Sequence, residues 1–151
     1  MYSVWLTAEQ QQIWRGYLTM VGQLQTAMHR QLQHDCELSL SDYDVLVALS
    51  ERGPQRINEL GEALEWEQSR LSHQLRRMRG RGLVDRHGSG DDRRGATVEL
   101  TDSGRAALDA AAPGHAELVR SVLFDGVSPA QQRAFGSVIE SVVTRLTSQT
   151  Q

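Results

Sequence analysis

The sequence predicts a mainly α-helical fold with a small β-hairpin wing, set between long helices at either end. Three observations carry that expectation. Apolar residues recur at spacings of three and four through most of the 151-residue chain, the period of helices with one buried face. One stretch, Leu83 to Leu100, changes to strand character, with Gly88-Ser89-Gly90 supplying the turn. Between Glu67 and Arg94 stand eight arginines (70, 76, 77, 79, 81, 86, 93 and 94) against four acids (67, 85, 91 and 92). That stretch carries +4 in a chain of net charge −3, so the remainder carries −7. Charge segregated in this way suits a molecule that offers one basic edge to a polyanion and keeps the rest acidic.

From about Thr7 to His34, Ile13, Trp14, Tyr17, Val21, Leu24, Met28 and Leu32 follow the helical period. One helix of roughly 40 Å results, longer than a core of this size requires. Its N-terminal part, with Trp5, Leu6, Ile13 and Trp14, needs a partner surface: the chain's own C-terminal helices, a second copy, or both. Ser41, with Asp44 three residues on, reads as the cap of a second helix that carries Val45, Leu46, Ala48 and Leu49 and stops at Gly53-Pro54. A short helix from about Ile57 to Leu64 and a turn at Glu65-Trp66 lead into the arginine-rich helix. Two short helices and a tight turn make a helix-turn-helix whose second member is the reading helix.

With Ser69 set at zero and about 100° per residue, Arg76, Gly80, His73, Arg77 and Arg70 fall between about −20° and 100°, one polar and cationic face. Leu71, Leu75 and Met78 fall between about 180° and 240°, the stripe of a helix that packs its back on a core. Gly80 and Gly82 end this helix. Leu83-Val84 and Ala96–Leu100 form the hairpin strands, the second alternating Ala96, Val98 and Leu100 with Thr97 and Glu99. Thr101 caps a further helix with Ala106, Ala107, Leu108 and Ala111; Pro113-Gly114 predicts a break or kink, beyond which come Leu118, Val119, Val122, Leu123 and Phe124. Ser128-Pro129-Ala130-Gln131 is a start signal for the last helix, which carries Phe135, Val138, Ile139, Val142, Val143 and Leu146 before Thr147–Gln151 fray.

Other chemistries find little support. No apolar run approaches the roughly 18–20 residues of a membrane span, and the N-terminus lacks a signal-peptide layout, so a cytoplasmic protein without membrane contact is expected. The single Cys36 makes no internal disulfide. His34-Asp35-Cys36-Glu37 holds metal-ligand types in a row, but consecutive loop residues rarely converge on one ion, so no metal is assigned. Cys36 reads as a buried or inert thiol, with a redox trigger as the alternative. There is no phosphate-binding loop, nucleophile elbow or motif-placed acid pair, so no catalytic residue and no cofactor are assigned and the chain is not read as an enzyme.

The element order, with the strings LSDYDVLVALSE, ELGEAL, SRLSHQLRRMRGRGLVDR and DDRRGATVELTDSGRAAL, resembles the MarR family of bacterial transcriptional regulators along essentially the whole chain. Its most specific part is Asp92-x-Arg94, then a strand and Leu100-Thr101-x-x-Gly104-Arg105. The resemblance implies a single MarR-like unit over 1–151: a winged helix-turn-helix at 41–101, with 1–36 and 102–147 as dimerisation helices. It implies a homodimer on double-stranded DNA at a pseudo-palindromic operator, a repressor released by a small aromatic or phenolic effector. Gln68, Ser69, Arg70, Ser72, His73, Gln74, Arg76 and Arg77 then face bases and phosphates, with Arg86, Asp92, Arg93 and Arg94 in the hairpin. Asp92 matches the carboxylate that orients the wing-tip arginine, Arg94. Leu6, Ile13, Trp14, Tyr17, Leu118, Val122, Leu123, Val138, Val142 and Leu146 would meet the second copy. Trp5, Trp14, Tyr17 and Tyr43 either line an effector pocket or belong to core and interface. Glu67 departs from the pattern, standing where the family has Ser or Thr as the reading-helix cap. Two other readings stay open: a sequence-tolerant architectural DNA binder, and a winged-helix module whose arginine face meets an acidic protein.

Overall fold

Reciprocal caps set the helix boundaries in the computed structural model, which describes residues 5–88 and 96–150. Thr7 accepts from the Gln10 N–H while the Gln10 side chain accepts from the Thr7 N–H, opening α1 (Ala8–Cys36). Ser39 and Asp42 do the same for α2 (Leu40–Arg52). This corrects the expected Ser41/Asp44 cap. Both pairs have the capping-box spacing, but Leu38 just before Ser39 is buried and Asp42 has further partners in the core, so the chain turns two residues earlier.

β1 (Gln55–Arg56) leads directly into α3 (Ile57–Leu64), which ends at Glu65 in the left-handed conformation. After the turn comes α4 (Gln68–Gly80), then β2 (Val84–His87) and β3 (Thr97–Leu100). The sheet has three antiparallel strands in the order β1-β3-β2, where the sequence suggested two. β1 pairs through Gln55↔Val98 and Arg56↔Thr97, and β2 through Val84↔Leu100 to His87↔Thr97. A two-residue strand has no periodicity of its own; its partner makes it a strand.

Leu71, Leu75 and Met78 from α4 enter one core with Leu32 of α1, Val45, Leu46 and Leu49 of α2, Ile57 and Leu60 of α3, and Val84 and Val98 of the sheet. The predicted back of the arginine-rich helix is thus the buried one. α5 (Asp102–Val119) adds Leu108 and Ala111 to this core. It runs through Pro113 without the expected break, and the irregularity comes later, as a wide π turn over Arg120–Phe124 in which Asp125 N–H donates to Arg120 O at 2.8 Å. Gly114 lies directly on Gln31 and Asp35, where a Cβ would come within 2.6 Å of the Gln31 amide nitrogen, and this close packing spans the position that Pro113 weakens.

The chain divides into two compact units, Met1–His115 and Ala116–Gln151. The second holds the end of α5, the π turn and α6 (Pro129–Gln149), whose cap is the predicted Ser128/Gln131 box. α6 stays helical to Gln149, past the expected fraying point. No described residue of this unit is buried, although Val122, Val138, Ile139, Val143 and Leu146 are apolar. Among the described residues, no helix is long and apolar enough to cross a membrane.

Candidate nucleic-acid interface

With its apolar stripe committed to the core, α4 turns Gln68, Ser69, Arg70, His73, Arg76 and Arg77 to solvent, and Ser72 is half-buried beside them. Glu67 at the N-cap makes no side-chain cap hydrogen bond, the departure noted in the sequence. The first backbone N–H groups of α4 therefore lack that side-chain acceptor, which leaves them suited to an anion.

Gln74 is a correction to the site. It was expected at base edges, yet it is 8% exposed, and its amide donates to Oδ1 of Asp42, itself 4% exposed. The other Asp42 oxygen accepts from Arg81 at 2.9 Å and from the Ser39 N–H at 2.9 Å. Arg81 also donates to the Glu37 carbonyl at 2.8 Å. One carboxylate therefore joins the start of α2 to α4 and the residue just after it, and a buried charge is tolerated because several donors converge on it.

Arg70 lies over the Trp66 ring, its guanidinium carbon 4.0 Å from the centroid. Stacking restricts the rotamers of an exposed arginine without removing its N–H donors. Arg70 also acts on Asp44, whose carboxyl is raised above its ordinary value by burial, against the opposing pull of His115 and Arg70. The His115 ring meets Tyr43 at 4.5 Å between centroids, and burial holds its pKa below the usual histidine value. The aromatic residues considered for an effector divide into different settings. Trp14 and Tyr17 stack at 5.6 Å on the exposed side of α1, Trp5 is exposed, and Tyr43 faces His115.

Between α4 and the sheet lies a shallow depression of about 50 Å³ lined by Ser72, Arg76, Arg79 and Arg86 over Ile57, Leu75, Val84 and Val98. Three guanidinium side chains around an apolar floor form a cationic site of phosphate size. Arg79 was absent from the expected contacts because it stands outside the arc drawn on the helix; only β2, which brings Arg86 opposite, reveals the grouping. Asp92, Arg93 and Arg94 lie outside the described residues.

The expected interface residues Leu6, Ile13, Trp14, Tyr17, Val122, Val138, Val142 and Leu146 are exposed, and Leu118 and Leu123 are half-buried. His34, Asp35 and Cys36, expected on a loop, are the last residues of α1; His34 pairs with Asp35 at 3.0 Å, and Gln31 donates to the other Asp35 oxygen at 2.7 Å. Burial, then Asp35, raises the Cys36 thiol above its ordinary value, so little of it is thiolate at neutral pH.

Comparison with known proteins gives this geometry a context. The model of the MarR family matches residues 38–95. The structure of Sco3205, a MarR family transcriptional regulator from Streptomyces coelicolor solved in complex with DNA, superposes with a TM-score of 0.85 at 38% identity, over 94% of each chain. AbsC, a MarR family transcriptional regulator from the same organism, gives 0.87 at 32% identity over 97% of this chain and 99% of its own. The transcriptional repressor NicR of Pseudomonas putida is 36% identical over 91 residues, a match that spans 60% of this chain and 58% of NicR. The two Streptomyces regulators match over nearly their full lengths, and the family model falls on the helix-turn-helix and the first strand of the hairpin; the chain belongs to the MarR family.

Proposed function

We propose that the protein is a DNA-binding transcriptional regulator that acts as a homodimer on a pseudo-palindromic operator. The carrying observation is the α4 face: Ser69, Arg70, His73, Arg76 and Arg77 are exposed together while Leu71, Leu75 and Met78 anchor the opposite side in the core. In this reading Arg70, held on Trp66, reads a guanine edge, and Ser69, Ser72, Arg76 and Arg77 grip phosphates. Gln68 and His73 lie beside them, and a backbone phosphate between helix and wing occupies the depression at Arg76, Arg79 and Arg86. Arg93 and Arg94, with Asp92 as a brace, extend the contact into a flanking minor groove, where arginine gains from the stronger negative potential of A·T-rich sequence.

Two copies are required because the apolar residues of the second unit, and Leu6, Ile13, Trp14 and Tyr17 of α1, are uncovered in one chain. In this proposal 1–36 and 102–147 pair between copies and set two reading helices one DNA turn apart, with half-sites about 10 bp centre to centre. Sco3205 was solved on DNA, which supports DNA binding, and NicR is a named repressor, which supports repression. Release by a small aromatic or phenolic ligand extends the proposal. Tyr43 lies against His115, and His115 Nδ1 and Gln31 Oε1 are buried without a hydrogen-bond partner, which suits a ligand with a ring and a polar group. Such a ligand acts only through its preference for the dimer spacing that does not fit the operator.

A gel shift against the DNA upstream of the protein's own gene, with excess nonspecific competitor, tests the function. Retention of one fragment is the expected result. Loss of all fragments to competitor would point to an architectural binder, and no binding even at low salt would point to a protein-interaction module.

A further inference from the structure

We propose a divalent transition-metal site on the outer face of the hairpin, formed by Asp85, His87 and Glu99. Asp85 and His87 alternate along β2 with Val84 and Arg86, which line the depression facing α4. The first pair therefore points to the other side of the sheet. Glu99 is the residue directly opposite Asp85 in the register, and His87 stands two positions along. One ligand atom from each of the three lies within 4.8 Å of the other two, and His87 Nε2 is 2.6 Å from Glu99 Oε1.

Two features of this trio point to a cation. Asp85 and Glu99 are like charges placed face to face on adjacent strands, an arrangement that weakens a sheet unless a positive group lies between them. Arg86 on β2 faces the opposite side, and His87, 2.6 Å from Glu99, pairs with one of the two carboxylates and leaves Asp85 without an ion-pair partner among the described residues. The donor set is also chemically selective. One imidazole nitrogen with two carboxylate oxygens suits zinc, cobalt or nickel, whereas magnesium and calcium favour all-oxygen sets. Around a tetrahedral zinc, ligand atoms about 2.0–2.2 Å from the metal stand roughly 3.3 Å apart, so His87 and Glu99 need to separate by somewhat under about 1 Å and the wider pairs to close by at most about 1.5 Å, within the reach of surface rotamers. Three protein ligands leave coordination positions open for water or a further ligand. A metal held there joins β2 to β3 across the hairpin that also carries Arg86.

No contiguous motif marks this site, because its residues are divided between two strands and become neighbours only through the register.

The test is a Co²⁺ titration of the full-length protein, followed by visible ligand-field absorption, together with Zn²⁺ competition against a chromophoric chelator. The expected result is one equivalent per chain, weakened at least tenfold by His87→Ala and by Glu99→Gln, with His34→Ala and Cys36→Ser unchanged. All four positions are on the surface or half-buried, and circular dichroism checks that each variant folds. Slower amide exchange in β2 and β3 with Zn²⁺ bound is the second expected readout. Absence of Co²⁺ absorption at stoichiometric metal, affinity unchanged in both His87→Ala and Glu99→Gln, or affinity lost in Cys36→Ser would each overturn the site. None of these readings depends on DNA, so the site and the regulator proposal fail separately.

Discussion

At the scale of single residues, Asp42 fixes where the reading helix sits. Its carboxylate caps α2 through the Ser39 N–H and accepts from Gln74 on α4 and from Arg81 just beyond it. Asp42→Ala leaves the Gln74 amide unpaired in the core, and we expect a loss of about 2–3 kcal/mol in urea unfolding, because hydrogen bonds to a charged acceptor are lost along with a helix cap. Asp42→Asn, which keeps one acceptor oxygen, should lose less. Equal stability of wild type and Asp42→Ala would show that the three donors find other partners. The same residues mark a boundary of what sequence discloses. Arg70, His73, Arg76 and Arg77 were legible as exposed because helical phase alone places them, and Leu71, Leu75 and Met78 as buried for the same reason. Gln74 stood at the margin of that wheel, and only a partner 32 positions earlier decides that it turns inward.

At the scale of elements, caps and periodicity were legible and contacts between elements were not. All six helices were expected near their observed places, and the Ser128 box was read correctly, since these depend on residues within one turn. β1, the passage of α5 through Pro113 and the choice of Ser39 over Ser41 all depend on a neighbouring element. Gly104 shows how a motif acquires its reason in the structure. A Cβ there would stand 2.1 Å from the carbonyl oxygen of Leu83, the same oxygen that accepts from Thr101 N–H at 3.2 Å. The start of α5 therefore approaches the chain before β2 so closely that only glycine fits. Gly104→Ala should cost about 1–3 kcal/mol or more, because backbone, not a flexible side chain, must yield. A lowered melting temperature with α4 binding residues untouched is the expected outcome; an unchanged melting temperature would mean the two segments separate freely.

At the scale of the whole molecule, two uneven distributions define the protein: positive charge gathered between Glu67 and Arg94, and apolar surface left open on α1 and α6. The first was legible from counting. The second was legible as surplus periodicity, but its exposure became visible only once the core was seen to close without it. If a second copy covers that surface, Val138→Asp, placed where the side chain is 60% exposed in one chain, should shift sedimentation from dimer to monomer. A variant that remains dimeric would remove α6 from the interface. In the proposed mode of binding, dimerisation matters because one α4 would offer only a few base contacts, whereas two at fixed separation would read a symmetric site.

The most direct measurement is a hydroxyl-radical footprint of the protein on the upstream fragment retained in the gel shift, for wild type and Arg70→Ala. Two protected patches about one helical turn apart are expected, with Arg70→Ala weakening binding to this site by at least tenfold while affinity for unrelated duplex changes little. A single continuous patch, or an Arg70→Ala variant that weakens every sequence equally, would contradict a dimeric reader of sequence.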